Sequence, residues 1–329
     1  MKDKFITMSN DAYHGDPRIS VTGIKRFMRS PLHYHGHKDP SVKPKAFVVG
    51  NATHTLFLEP HKFEGKYRVK PLEVDGQGPR TKHYKEWLFH QDPTLTWLDQ
   101  ETHDLILGMA DSALAHPILN DLVQGMVERV VEGSLFFKHQ GVECKARPDL
   151  TVMCDDGTVD VLDLKTTQDA SPEGFAKVAW NLGYGVQEYV YRLGLESAGL
   201  KVNRFLFLAV EKTPPYACCV HVLERDWVTK SGIEVDAALR GYRQCLDADA
   251  WPSYGEAVNT LRLPRWARGG QDAPSNNGWL TVKEATKLLG ITRATLYNWM
   301  NKDKSVKRKK QGGRRLVDAA SLQAAMKGA

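Results

Sequence analysis

Cysteine is scarce in this chain of 329 residues: Cys144, Cys154, Cys218, Cys219 and Cys245 are odd in number and include no Cys-x-x-Cys pair. That argues against a disulfide framework and a structural zinc site, and the spacing of an iron–sulfur cluster is missing too. Each cysteine reads as a small buried hydrophobe. No apolar run approaches the roughly 18 residues of a membrane span, and the opening Met1-Lys2-Asp3-Lys4-Phe5 has no secretory h-region, so a cytoplasmic protein with no membrane association is expected. Internal repeats and low-complexity tracts are also absent. What remains is ordinary for a globular protein, with 42% hydrophobic residues and a length that suits about two domains.

An excess of positive charge is lacking over most of the chain. The net charge is +6, yet 279–329 carries eight Lys and four Arg against Glu284, Asp303 and Asp318, a balance of +9. The remaining residues hold 33 basic against 36 acidic side chains, a balance of −3. A DNA-binding role therefore suits the last fifty residues, while the body must bind any phosphate by local arrangement.

Periodicity and punctuation predict the elements. Ile19 to Met28 has helical spacing with Ser20 as N-cap, and Pro31 closes it. A second helix spans about Ala46 to Leu58, where Phe47, Gly50, His54 and Leu58 recur every three or four residues before Pro60. Further helices are expected near 81–90, 99–115 and 184–197, at 224–246, and after Pro172. Strand character runs through 127–137, 142–153 and 158–165 as a meander, then 205–210 and 217–223. This order predicts an α/β fold with a mixed sheet flanked by helices. The Pro-, Gly-, Ser- and Asn-rich segment 263–278 reads as a linker, dividing the chain into domains 1–262 and 279–329.

Two strings carry the chemistry: Lys145-Ala146-Arg147-Pro148-Asp149-Leu150 and Val161-Leu162-Asp163-Leu164-Lys165-Thr166-Thr167, on either side of Asp155-Asp156-Gly157. Asp-Gly between apolar alternations signals a hairpin. If the loop is 155–157 with Gly157 left-handed, Cys154 pairs with Thr158 and Asp149 falls directly opposite Asp163. Their Cβ atoms would then be roughly 5 Å apart on one face. A two-residue turn at Asp156-Gly157 would instead shift the register and flip the faces. Like charges so placed repel, and a divalent cation between them, held through oxygen at about 2.0–2.1 Å if it is Mg²⁺, removes the repulsion. Lys165 shares the face of Asp163 and could steady charge developing on phosphorus, while Leu162 and Leu164 point into a core.

Other residues leave alternatives open. His54 suits a metal ligand with space left by Gly50, or a histidine packed between helices. His33, His35 and His37 read as solvated histidines in a polar loop. Glu132 could complete a two-metal site as a third carboxylate or stand exposed on its strand. Gln187 and Tyr191, four apart on a helix, could contact a nucleotide or phosphate, or be an ordinary polar pair. In the tail, Thr281 with Glu284 fits a capping box before a helix ending at Gly290, and Thr292 caps a second helix; together they make a helix-turn-helix with a basic hairpin wing at 307–315.

Asn10-Asp11-Ala12-Tyr13-His14 with Ile19-Ser20, Gly50-x-x-x-His54 ending in Leu58-Glu59-Pro60, Arg147-Pro148-Asp149, Asp163-x-Lys165-Thr166-Thr167 and Gln187-x-x-x-Tyr191 together resemble the nuclease domain of RecE-type phage and prophage exonucleases, of the PD-(D/E)XK superfamily. The resemblance covers about residues 8–250. It implies a restriction-endonuclease-like core and a processive Mg²⁺-dependent exonuclease, with Mn²⁺ as a possible substitute. Such an enzyme degrades the 5′-ended strand of linear duplex DNA and leaves a 3′ overhang for a RecT-like single-strand annealing protein. By motif position, His54, Asp149, Asp163 and the Leu164 carbonyl would hold metal. Lys165 would orient the nucleophilic water, and Arg147, Thr166, Gln187 and Tyr191 would lie on the DNA side. A ring-shaped homo-oligomer is the family expectation. Two other readings stand beside it: a DNA-binding regulator with an inactive nuclease fold, and a structure-specific endonuclease.

The tail resembles small excisionase and MerR-like modules instead, with Arg293, Lys307, Arg308 and Arg314 as its expected DNA contacts. Deleting 279–329 should make the fall of log affinity with log salt shallower by about 0.9 for each duplex phosphate that the tail had neutralised. Filter binding over a salt series checks this, and an unchanged slope would contradict a DNA-binding tail.

Overall fold

The structure, a computed structural model, describes residues 1–37, 44–78, 80–124, 128–255, 257–261, 279–302, 305–311, 314–318 and 320–322. It divides into two compact units, Met1–Gly255 and Glu256–Ala329. The predicted linker at 263–278 lies outside the described residues.

The first unit opens with α1 (Asn10–Gly15), α2 (Val21–Arg29), α3 (Pro31–His35) and α4 (Lys45–Leu58). Ser20 caps α2 as expected, accepting the Gly23 N–H at 3.3 Å. Pro31 does more than close α2: it occupies the first turn of α3, where its missing N–H costs nothing. His33 and His35 are thereby helical and not in a loop, with His35 exposed yet stacked on Trp251 at 4.7 Å, while His37 follows the helix and is exposed. There follow β1 (Tyr67–Val69), α5 (Lys82–Phe89), β2 (Thr96–Leu98), α6 (Gln100–Leu114) and α7 (Pro117–Gln124). The parallel pair β1–β2 and helix α7 were not foreseen.

Next come β3 (Arg129–Val131), β4 (Leu135–His139), β5 (Val142–Ala146), β6 (Leu150–Met153) and β7 (Val159–Thr167). Two predicted strands are therefore each broken in two. The first breaks at Glu132, whose φ of 47° is left-handed. The second breaks at Arg147-Pro148-Asp149, where proline has no ladder N–H to give. The result is not one meander: β4 and β5 pair separately, while β3-β6-β7-β8-β9 form a mixed sheet.

The last two strands of that sheet are β8 (Val202–Glu211) and β9 (Cys218–His221), and α8 (Pro172–Asn181) and α9 (Tyr184–Ser197) make the crossover between the parallel neighbours β7 and β8. The unit closes with α10 (Arg225–Ala248). Side chains of β7 and β8 alternate between two cores. Val159, Val161, Phe205, Phe207 and Ala209 pack with α2, α8, α9 and α10. Leu162, Leu164, Leu206, Leu208 and Val210 pack with α4, α6 and α7. Helices on both faces explain why these strands are apolar almost throughout. No helix among the described residues is long and apolar enough to cross a membrane.

The second unit holds β10 (Trp279–Thr281), α11 (Val282–Leu289), α12 (Arg293–Lys302), β11 (Arg308–Gln311) and β12 (Arg314–Asp318). Both halves of the capping box form: Thr281 Oγ1 accepts the Glu284 N–H at 3.2 Å, and Glu284 Oε2 accepts the Thr281 N–H at 2.7 Å. Gly290 ends α11 with φ of 63°, and Thr292 caps α12 through the Thr295 N–H. The basic wing is the hairpin β11–β12, which β10 extends to a three-stranded sheet.

Phe207 is fully buried in the centre of the sheet. Phe207→Ala should lower unfolding stability by about 3–5 kcal/mol in urea titration. A loss under about 1 kcal/mol would contradict this packing.

Candidate active site

The hairpin between β6 and β7 takes the wider of the two turns considered. Gly157 has φ of 80°, and the Cys154 N–H donates to the Thr158 carbonyl at 2.8 Å. The ladder then runs Met153↔Val159 through Leu150↔Leu162, and one step further sets Asp149 opposite Asp163. Asp163 is fully buried, on the β7 face that packs against α9.

Each carboxylate is held differently. Asp163 Oδ2 accepts from the Gln187 amide Nε2 at 2.5 Å, and its Oδ1 meets the Lys165 ammonium. Burial would lower the Lys165 ammonium, but Asp163 and Asp149 outweigh it and hold it above the ordinary lysine range. Asp149 Oδ2 accepts the Leu164 N–H at 2.9 Å and lies 3.2 Å from His54 Nδ1. Burial foremost, and then the charge of Asp163, push Asp149 well above the ordinary carboxylate range. Burial, joined by repulsion from Lys165, lowers His54 to about 4, so its imidazole is neutral at pH 7 and can ligate or accept. The Leu164 carbonyl accepts from that ring. Glu132 sits at the break after β3, its N–H donating to the Asp149 carbonyl at 2.9 Å, and its charge reaches His54, Asp149 and Arg147.

Thus β6, β7, α4 and the β3 break bring Asp149, Asp163, Lys165, His54, Leu164 and Glu132 to one place. Thr166 stands next to Lys165 with its hydroxyl towards Gly50, where a Cβ would lie 3.9 Å away. Two expected DNA contacts, Arg147 and Gln187, are turned into the protein. Arg147 is 8% exposed; its guanidinium donates to Ser134 Oγ and Asn10 Oδ1 and lies 4.1 Å from the Tyr13 ring centroid, so it braces the N-terminal segment. Gln187 is 7% exposed, and its amide is turned inward onto Asp163. Tyr191 is half-buried against Phe205. In the second unit Arg293, Lys307 and Arg308 are exposed, and the side chain of Arg314 lies outside the described residues.

Among the described residues, no three His, Cys, Asp or Glu side chains are gathered to hold a metal ion. Asp163 is turned onto Lys165 and Gln187, while Asp149 is turned onto Leu164 and His54. The donor set nevertheless fits a hard divalent cation in kind: two carboxylates, a neutral imidazole and a carbonyl are neighbours, and the buried Asp163 Oδ1, although paired in charge with Lys165, has no directed hydrogen bond.

Lys25 was missed. Its signal was a lysine within the apolar stripe of α2, between Val21, Ile24 and Met28. Its Nζ lies 5.7 Å from the Tyr184 ring centroid, and the Lys165 Nζ lies 5.0 Å from the same centroid.

Such a site on such a sheet defines a nuclease fold of the PD-(D/E)XK class. Residues 20–264 match the family described as PDDEXK-like domain of unknown function, and the chain belongs to it. Residues 279–329 match a helix-turn-helix domain. Among solved structures, a candidate exonuclease from Eubacterium rectale shares the fold with a TM-score of 0.54 at 12% identity, over 79% of this chain and 96% of its own. A protein of Vibrio cholerae is aligned at 12% identity over 69% of this chain and 54% of its own, with a TM-score of 0.22 that carries no argument. No curated protein matches the sequence.

Burial foremost, and then the Lys165 charge, lower Lys25 to about 8. The unfolded lysine, near 10.4, binds more protons between these values, so this group's contribution to stability rises with pH from about 8 to about 10. The urea midpoint of the wild type should therefore climb relative to Lys25→Met across that window. Parallel pH profiles would show Lys25 to be solvated.

Proposed function

We propose that this protein is a metal-dependent exonuclease acting on the ends of linear double-stranded DNA, 5′→3′, producing 3′ single-stranded overhangs for recombination by strand annealing. The observation that carries the chemistry is Lys165 paired to Asp163 on β7, a strand covered on both faces, with Asp149 at the entry to β6, one step beyond the Leu150↔Leu162 pair and so opposite Asp163. The polarity, the RecT-like partner, the ring-shaped oligomer and a cytoplasmic, phage- or prophage-encoded setting rest on the resemblance of the five motifs to RecE-type enzymes. The match of residues 279–329 to a helix-turn-helix domain supports additional, salt-sensitive retention on duplex DNA.

Asp149, Asp163, His54 and the Leu164 carbonyl would hold a divalent cation, Mg²⁺ with Mn²⁺ as substitute; bound there, it neutralises the paired carboxylates and lowers the pKa of water. Gln187 fixes the Asp163 carboxylate through its amide, and the Leu164 N–H fixes Asp149, so both are oriented before substrate arrives. Lys165 presents an ammonium to the reacting phosphate, orients the attacking water and stabilises the charge that builds on the non-bridging oxygens. Glu132 adds a third carboxylate beside His54.

Linear duplex labelled at either the 5′ or the 3′ end, incubated with and without Mg²⁺, tests the reading. Rapid Mg²⁺-dependent release of the 5′ label alone is expected, and Asp163→Ala should reduce it at least about 10³-fold while leaving the far-ultraviolet circular dichroism unchanged. Cleavage by Asp163→Ala at a near wild-type rate would defeat the site assignment. Cutting of covalently closed circles would make the enzyme an endonuclease, and no release from either end would leave a DNA-binding regulator.

A further inference from the structure

The Lys25 and Lys165 ammonium groups lie over the same ring, that of Tyr184, which is also stacked on Phe207; the charge of Asp163 reaches Lys25, but no carboxylate among the described residues forms a salt bridge with it. Its aliphatic stem runs over Gly183, where the φ of 64° suits glycine and an added Cβ would lie 3.2 Å from Lys25 Cε. A partly buried ammonium with no carboxylate in direct contact is costly, and an anion brought beside it would lower that cost. Burial already holds Lys25 near 8.

Lys25 also lines an open groove of about 290 Å³ with Met28, Trp180, Gly183, Trp227 and Glu234. Trp180 is 55% exposed and leans on Trp227 at 5.7 Å, while the Lys230 ammonium lies 5.2 Å from its ring centroid. Glu234, the acidic member of the groove, is paired with Lys230. The groove thus offers one cation, Lys25, and two indoles, of which Trp180 is the exposed one, with Lys25 sharing the Tyr184 ring with Lys165.

We propose that this groove is a nucleotide subsite for the DNA strand being cut, in which Lys25 holds the phosphate next to the scissile one and Trp180 stacks on the adjoining base. The proposal rests on the nuclease reading above and adds to it the path of one strand. A cation beside an aromatic platform is how proteins hold single-stranded nucleic acid without reading its sequence, because every base has a π-face. Lys165 and Lys25, on one ring, would then hold successive phosphates, with the indole at the outer end.

The test uses the full-length protein and 5′-phosphorylated tetrathymidylate, a ligand too short to engage a helix-turn-helix in a duplex groove. Binding is read from tryptophan fluorescence over a salt series, and duplex digestion is followed separately. Lys25→Met should weaken tetrathymidylate binding about tenfold and make the salt slope shallower by about 0.7, the value for one single-strand phosphate. Lys25→Arg should retain most of the affinity, which a purely structural role for the stem would not require. Trp180→Ala should weaken binding about tenfold and remove most of the quenching, and Trp180→Phe should restore affinity. In digestion, Lys25→Met should raise KM with kcat within about threefold.

Affinity and salt slope unchanged in Lys25→Met, or no binding by the wild type, would overturn the subsite. Binding that depends on Lys25 and Trp180, in a protein that cleaves no DNA, would support the subsite and sink the nuclease reading alone. Cleavage with binding indifferent to both residues would do the reverse.

Discussion

Two carboxylates set face to face on neighbouring strands repel, and in a buried place that repulsion has to be answered by the surrounding fold. Asp149 and Asp163 reach this position through the hairpin register, and each is answered differently: Asp163 by the Lys165 ammonium and the Gln187 amide, Asp149 by the Leu164 N–H and the His54 ring. Lys165 and Leu164 come from β7 itself, His54 from α4 and Gln187 from α9. The pair can therefore exist only where β7 is central and covered on both faces. The parallel neighbour β8 and the crossover α8–α9 meet that condition, because they bring Gln187 over the strand while burying Phe205 and Phe207 beneath the same helices.

A second set of buried cations braces the site instead of serving it. Lys145 Nζ donates to the carbonyls of Tyr13 and Asp16, and Arg147 ties Asn10, Ser134 and the Tyr13 ring together. The N-terminal motif of Asn10 to His14 is thus fastened to the segment that leads into Asp149. Basic residues next to a phosphate-cleaving centre invite assignment as DNA contacts. Burial and saturation of their donors distinguish a brace from a contact: Arg147 directs its donors to Ser134 and Asn10, whereas Lys25, set over the Tyr184 ring, has no hydrogen bond or salt bridge among the described residues.

The carboxylate pair was legible because hairpin pairing follows arithmetic: once Gly157 is placed in the left-handed turn position, every partner on β6 and β7 is determined. Helices with strong caps were legible for a similar reason. Ser20, Thr81, Asp99, Ser171 and Thr281 each accept an N–H at the start of a helix, so these starts are written locally. Breaks in strands were less visible, since the left-handed turn at Glu132 depends on the strand's neighbours and not on a propensity of glutamate.

Local patterning by itself therefore determined the mixed α/β class, a hairpin between β6 and β7 with two possible registers, the placing of Asp163 and Lys165 on one face of β7, and the two capped helices of the basic tail. Those properties involve residues close in sequence, where turn geometry and side-chain alternation act directly. Only the tertiary structure decided that Gln187 turns inward to Asp163, that Arg147 holds the N-terminal segment, and that Lys25 shares the Tyr184 ring with Lys165. Each of these joins elements far apart along the chain. Which of a side chain's possible partners it meets is settled by how the helices pack on the sheet, and burial then decides whether its charge is balanced from within or left for a ligand.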